Sequence, residues 1–215
     1  MFTGIVEDVG VVRRIEGGPG GGKRLVVETN LDPASIAVGD SICTEGVCLT
    51  ATSIVGKTFT ADAGHETLAR TTLGRLTAGS RVNLERSVTP TSRLGGHMVA
   101  GHVDAVGTIA SVTKNENAYD VRIETPPEVL ELCIPRGSIA IDGISLTITG
   151  KDAKAFSVMI IPHTWSVTTL GAKAAGSAVN LEADVIARYV AGLLEGYVAE
   201  QKAPLTEDFF RKHGF

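Results

Sequence analysis

Cys48 and His102 are the side chains of this 215-residue chain whose types suggest covalent and proton-transfer chemistry. A thiolate can attack an electrophilic carbon, and an imidazole can carry a proton between reacting groups near neutral pH. A comparison within the chain gives both of them meaning. Placing residues 2–87 over residues 99–184, at a constant offset of 97, sets Gly46-Val47-Cys48-Leu49-Thr50 on Gly143-Ile144-Ser145-Leu146-Thr147. The same offset sets Thr3-Gly4-Ile5-Val6 on Ala100-Gly101-His102-Val103. Cys48 therefore falls on Ser145, and His102 falls on Ile5. Each half owns one reactive side chain that its twin lacks. Taken alone, a Cys in an apolar strand is more often a small core residue; its place inside a repeated motif is what singles it out.

The repeat extends well beyond these motifs. Thr71-Thr72-Leu73-Gly74, Ala78-Gly79-Ser80 and Val82-Asn83-Leu84-Glu85 all recur at the same offset. Solenoid units recur at roughly 20–50 residues, so a period this long marks a duplicated domain. Two similar binding domains can hold two similar ligands, with shared residues reading shared features and unequal residues doing unequal chemistry. Asp62, His65 and Glu66 precede Thr67, and Met159, Pro162 and His163 precede Thr164, so both segments are expected as pocket walls. His97 and His102 are five apart, which puts them on opposite faces of a strand, and no Cys or carboxylate completes a metal site with them.

The elements that must position these residues are mostly short strands. Gly4–Ile15, Leu25–Thr29, Ser41–Ile54, Thr58–Ala63 and Arg81–Leu84 carry β-branched residues between Gly, Asn and Asp punctuation. The second half repeats this at Val103–Val112, Tyr119–Thr125, Ser138–Thr149, Phe156–Ile161 and Ala178–Leu181. Short helices are expected near Pro33–Ala37, Thr67–Thr72, Pro127–Leu132 and Thr164–Thr169, with a linker over Ser87–Leu94. This pattern argues for small antiparallel barrels. Gly17-Gly18-Pro19-Gly20-Gly21-Gly22 lacks the Gly-x-Gly-x-x-Gly spacing of a dinucleotide loop and reads as a hairpin tip. After the second copy, Val185-Ile186, Tyr189-Val190, Leu193-Leu194 and Tyr197-Val198 recur every four residues, the mark of an amphipathic helix. Its stripe is expected to pack against the same helix of neighbouring subunits rather than on its own barrel.

Composition narrows the function classes. A formal charge of -4 with no Lys/Arg cluster gives no reason to expect nucleic acid. No apolar run approaches the ~20 residues that span a bilayer, and the N-terminus has no basic stretch of a secretory signal. Three cysteines, Cys43, Cys48 and Cys133, cannot all pair and lack metal-ligand spacing, so a reduced, cytoplasmic setting is expected.

Met1-Phe2-Thr3-Gly4-Ile5-Val6, Gly46-x-Cys48-Leu49-Thr50, Gly95-Gly96-His97-x-x-x-Gly101-His102 and Ile141-Asp142-Gly143-Ile144-Ser145-Leu146-Thr147 together resemble the riboflavin synthase family, alpha-chain type. The likeness runs from residue 1 to about 200. It implies an all-β protein of two tandem six-stranded antiparallel Greek-key barrels, residues 1–96 and 97–184, a C-terminal helix over 185–202 and a tail over 203–215. It also implies a homotrimer joined through that helix, needing no cofactor. The implied reaction is a dismutation in which two molecules of 6,7-dimethyl-8-ribityllumazine give riboflavin and 5-amino-6-(D-ribitylamino)uracil by four-carbon transfer. The pair of substrates is expected between the N-terminal barrel of one subunit and the C-terminal barrel of its neighbour, and association with lumazine synthase is a further implied partnership. By position, the first pocket is expected from Gly4, Ile5, Val6, Ser41, Cys48, Leu49, Thr50, Asp62, Ala63, Gly64, His65, Glu66 and Thr67. The second is expected from Gly101, His102, Val103, Arg136, Ser145, Leu146, Thr147, Ile160, Ile161, Pro162, His163, Thr164 and Trp165. Under the resemblance His102 acts as base, and Cys48 adds to the acceptor lumazine or orients a water that does. Arg136 stands where some relatives carry Lys. Related lumazine proteins that carry the ligand as a light emitter lose the counterparts of Cys48 and His102, both of which are present here.

Overall fold

Alternation of buried and exposed residues along β2 (Lys23–Glu28) and β5 (Thr58–Ala63) sends Leu25, Val27, Phe59 and Ala61 to one interior. The same alternation in β8 (Tyr119–Glu124) and β11 (Ala155–Ile160) sends Val121, Ile123, Phe156 and Val158 to another. The structure, a computed structural model, describes residues 1–201 and Arg211, with side chains described for 1–194 and Arg211. The remaining strands are β1 (Asp8–Gly17), β3 (Ser41–Thr44), β4 (Val47–Val55), β6 (Arg81–Arg86), β7 (Ala105–Lys114), β9 (Ser138–Ile141), β10 (Ile144–Lys151) and β12 (Ala178–Ala183). They close two antiparallel barrels of the same order, β1-β2-β5-β4-β3-β6 and β7-β8-β11-β10-β9-β12. Closure leaves no free sheet edge.

The single strands expected over Ser41–Ile54 and Ser138–Thr149 are each a hairpin. Glu45-Gly46 and Asp142-Gly143 turn with positive φ at both positions, 49° and 82° in the first and 48° and 80° in the second. That is the tight two-residue turn whose twist matches flanking strands. The strand expected from Gly4 begins at Asp8, because residues 2–5 leave their own barrel. The constant offset also fails locally. Six-residue β2 begins at Lys23 and its twin β8 at Tyr119, so the connection after β1 is one residue shorter in the second copy. The crossover before β9 restores the offset.

Short helices α1 (His65–Arg70) and α3 (Pro162–Val167) follow β5 and β11, and α2 (Pro127–Leu130) fills the second crossover, where the first has a single 3-10 turn, Pro33–Ser35. The glycine-rich stretch connects β1 to β2 through a 3-10 turn at Pro19–Gly21. Helix α4 runs Val185–Gln201. Its Tyr189 and Leu193 are 72% and 75% exposed, so its apolar stripe, as far as Leu194, is not covered by its own barrel. Arg188 ties the helix to the barrel through Asp104 at 2.8 Å. The tail, with Phe209, Phe210 and Phe215, lies outside the described residues.

The two barrels meet about a pseudo-twofold axis of buried polar groups. Gly46 and Gly143 pack back to back, and a Cβ on Gly46 would sit 2.7 Å from the Gly143 nitrogen. Asn83 donates to the Asp142 carbonyl and accepts from the Thr169 amide. Its twin Asn180 donates to the Glu45 carbonyl and accepts from the Thr72 amide. The symmetry breaks at Lys173. Glu45 and Asp142 both reach Lys173, at 3.0 and 2.6 Å, and the twin of Lys173 is Leu76. One cation serves two buried carboxylates. Burial and the facing Asp142 push Glu45 up to about 7 from 4.5, and burial raises Asp142 as well.

A native Glu45 that holds its proton to about 7, against 4.5 when unfolded, makes a contribution that is complete below the lower value. That contribution is lost as pH rises through the upper one. Lys173→Met removes the counter-charge that both carboxylates share and is expected to cost about 3–5 kcal/mol. Urea midpoints should show a larger loss at about pH 8 than at about pH 6. Equal losses at both would show that the charge of the cluster does not limit stability.

Candidate functional site

Each barrel receives, over its β3–β4 or β9–β10 hairpin, a strip of backbone from the opposite repeat. The Cys48 amide donates to the Gly101 carbonyl at 2.9 Å, and the Ser145 amide donates to the Gly4 carbonyl at 2.8 Å. Both glycines are in the left-handed region, at φ +78° and +75°. A Cβ on Gly101 would lie 2.7 Å from Cys48 Cβ, and one on Gly4 would lie 2.6 Å from Ser145 Cβ. Only glycine permits this approach. The crossing extends outwards: Val6 packs on the core of the second barrel and Val103 on that of the first. Between the strips, Phe2 and Val99 exchange backbone hydrogen bonds at 2.7 and 3.1 Å. Phe2 and Val99 are both fully buried there, against Cys43 and Ala140.

This geometry corrects the grouping expected from sequence. Gly4, Ile5 and Val6 belong with Ser145, and Gly101, His102 and Val103 belong with Cys48. The two reactive side chains that the repeats distribute one to each half are thereby brought to the same barrel. Of the other expected residues, Ser41 pairs with Thr50 across β3–β4, Leu49 is buried, and Thr50 is exposed. Asp62 is held by the Arg24 guanidinium at 2.7 and 3.1 Å, and that contact lowers its pKa. Ala63 is buried, Gly64 precedes α1, and His65, Glu66 and Thr67 lie on it. In the second barrel Leu146 is half-buried and Thr147 exposed; Ile160 is buried, and Ile161 is 57% exposed. Pro162, His163, Thr164 and Trp165 lie on α3, where the Trp165 ring stacks on Tyr119 at 4.3 Å. Arg136 is exposed in a left-handed conformation, φ +69°, where its twin is Gly39 at φ +99°. A non-glycine residue there is uncommon.

His97 is the residue that sequence reasoning missed. Its Nδ1 lies 2.7 Å from Ser145 Oγ, so the second half-site has its own hydroxyl–imidazole pair. Gly96 makes this possible, because a Cβ there would fall 2.2 Å from the Thr3 carbonyl oxygen and 2.7 Å from Ser145 Oγ. Burial lowers the His97 pKa below 6.5, which favours the neutral ring. Its Nε2 is buried and finds no partner among the described residues. The signal is present in Gly95-Gly96-His97, a histidine behind two glycines, but the spacing to His102 draws attention to metal ligation instead. Among the described residues, no three His, Cys, Asp or Glu side chains gather as a metal site.

Two more residues stand behind the crossed strips. Glu182 accepts from the amides of Ala100, Gly101 and His102 at 2.7, 2.9 and 3.0 Å. Its twin Glu85 accepts from the Thr3 and Gly4 amides at 2.6 and 2.9 Å and from the Thr3 hydroxyl at 2.7 Å. Both are almost fully buried, and burial raises the pKa of each.

A lumazine binding domain matches residues 3–87 and again residues 100–184. Riboflavin synthase of Actinobacillus pleuropneumoniae is 45% identical over 218 residues, covering 100% of both chains. Riboflavin synthase of Mycobacterium bovis is 48% identical over 198 residues, covering 90% of this chain and 98% of its own. Among solved structures, LumP complexed with riboflavin superposes with a TM-score of 0.78 at 27% identity, covering 85% of this chain and 99% of that one. LumP complexed with 6,7-dimethyl-8-(1'-D-ribityl) lumazine gives a TM-score of 0.76 at 26% identity, with the same coverage. With both repeats matched and full-length relatives this similar, the chain belongs to the lumazine-binding domain family, among its riboflavin synthases.

Proposed function

We propose that the protein converts two molecules of 6,7-dimethyl-8-ribityllumazine into riboflavin and 5-amino-6-(D-ribitylamino)uracil, transferring a four-carbon unit between them without a cofactor. The observation that carries this reading is the pair of half-sites with one backbone frame and unequal side chains. Gly101 is seated over Cys48 and Gly4 over Ser145 by the same amide-to-carbonyl bond, so the two half-sites share one main-chain frame, as two like ligands require. Cys48 and His102 then differ from Ser145 and Ile5, as a donor and an acceptor of the same substance require.

The 7-methyl group of a lumazine is acidic because its anion is delocalised into the ring, so a base near neutral pH suffices to draw its proton. His102 takes this role. Cys48, on the same barrel, adds to the ring of the acceptor or orients a water that does. His97 fixes the hydroxyl of Ser145 and keeps its Nε2 for a polar edge of the ligand in the other half-site. Holding both ring systems face to face supplies much of the rate through proximity. The exposed stripe of α4 supports association through that helix, and the assembly we propose is a homotrimer with the N-terminal barrel of one subunit facing the C-terminal barrel of its neighbour. We place the enzyme in the cytoplasm, with lumazine synthase as a candidate associate. The superposition on ligand-bound LumP favours one rival, a carrier that binds without turnover.

Purified protein given the lumazine alone is expected to yield one riboflavin for every two lumazines consumed, followed by absorbance and fluorescence. Tight binding without riboflavin would move the chain to the carrier class. His102→Ala is expected to lower turnover on the order of 10²-fold, and Cys48→Ser to lower it as well, while lumazine binding by fluorescence largely survives. Wild-type rates in both variants would remove the unequal-chemistry argument. Deleting everything after Asp184 is expected to give an inactive monomer by light scattering; a fully active monomer would rule out a site shared between subunits.

A further inference from the structure

A catalytic imidazole is useful only if its backbone is fixed, and the segment bearing His102 belongs to no strand. Residues 100–102 cross from the second repeat to lie over the first barrel, where Gly101 is their contact with Cys48. Three consecutive amides of that segment point into one carboxylate, Glu182 on β12, at 2.7, 2.9 and 3.0 Å. Hydrogen bonds to an ionised acceptor are about twice as strong as neutral ones. Glu182 is 3% exposed, so little water competes for these donors. The chain of contacts runs from Glu182 through the Gly101 peptide to the Cys48 amide, and in parallel to the His102 backbone.

The twin shows what is particular about this arrangement. Glu85 binds the Thr3 and Gly4 amides, but the Ile5 amide turns to the Thr3 hydroxyl at 3.3 Å. Ala100 has no hydroxyl, so the amide of His102 bonds to the carboxylate directly. Each carboxylate thus sits between its own barrel and a strip of its own repeat that lies over the other barrel.

Resting on the function proposed above, we propose that Glu182 is the positioning residue for His102 and Cys48, and that Glu85 positions the Gly4-Ile5 strip over Ser145. Glu182 is buried behind the strip and sets where the imidazole and the thiol stand relative to each other. Glu85 does the same for a half-site whose work is recognition. The twins therefore differ in what they control. Loss of Glu182 acts on the chemical step, and loss of Glu85 acts on ligand affinity.

The test is steady-state riboflavin formation by the full chain carrying Glu182→Gln, Glu85→Gln, His102→Ala, and Glu182→Gln with His102→Ala. Gln keeps the shape, but it offers one acceptor oxygen and turns an NH2 group towards the amide donors. Glu182→Gln is expected to lower kcat about tenfold or more with KM changed less than about twofold. Glu85→Gln is expected to raise KM more than it lowers kcat. In the double variant the combined loss should fall short of the product of the single losses, because the part of the Glu182 effect that acts through the imidazole is already gone. A wild-type kcat for Glu182→Gln, or losses that multiply in the double variant, would overturn the assignment while leaving the proposed reaction standing. No riboflavin from the wild-type protein would remove both. If Glu182→Gln does not fold, amide hydrogen exchange on the wild type decides: amides 100–102 should be protected like strand amides, and free exchange there would overturn the proposal.

Discussion

The Gly101 carbonyl on the Cys48 amide and the Gly4 carbonyl on the Ser145 amide are the contacts on which the rest of the site depends. Both need backbone to approach backbone closer than any Cβ allows, and both glycines hold φ in the left-handed region, at +78° and +75°. Once the strips are seated, everything with chemistry follows from them. His102 stands on the first barrel, Ile5 stands on the second, and Gly96 brings His97 up to the Ser145 hydroxyl. Glu182 and Glu85 hold the strips from behind, each from a strand of the barrel that the strip has left.

The crossing requires the two barrels to keep a fixed relation, and the polar axis supplies it. Asn83 and Asn180 each satisfy buried groups of the opposite repeat, and the paired turns at Gly46 and Gly143 leave no room for slip. Buried polar groups cost free energy unless partnered. An arrangement in which each repeat completes the hydrogen bonding of the other therefore penalises any displacement. Lys173 marks the limit of the symmetry, because one ammonium group is shared by Glu45 and Asp142.

Much of the fold was legible because the repeat doubles every signal. The period-2 strands, the helices after β5 and β11 and the unpartnered C-terminal stripe could each be read twice or by contrast. The β3–β4 and β9–β10 hairpins carried a turn signal in Glu45-Gly46 and Asp142-Gly143, but the runs on either side are so uniformly β-forming that each pair of strands reads as one. Cys48, Ser145 and His102 were legible as differences between copies. The exchange of strips was not, since it is carried by main-chain hydrogen bonds that impose no side-chain pattern beyond a glycine. Glu85 and Glu182 left a faint trace: a repeated Asn-Leu-Glu within strands whose interior is buried throughout, where a carboxylate needs a partner.

The seating of each strip on the opposite barrel also bears on how the two copies could diverge. Position 4 is confined by position 145, and position 101 by position 48, so neither repeat can accept a bulkier residue at its neck by adjusting itself alone. Drift in one copy meets resistance in the other. The residues free to part company are those whose side chains leave this shared backbone, and Cys48/Ser145 and Ile5/His102 are of that kind. A duplicated gene whose halves interlock in this way can acquire a division of labour while its scaffold stays doubled.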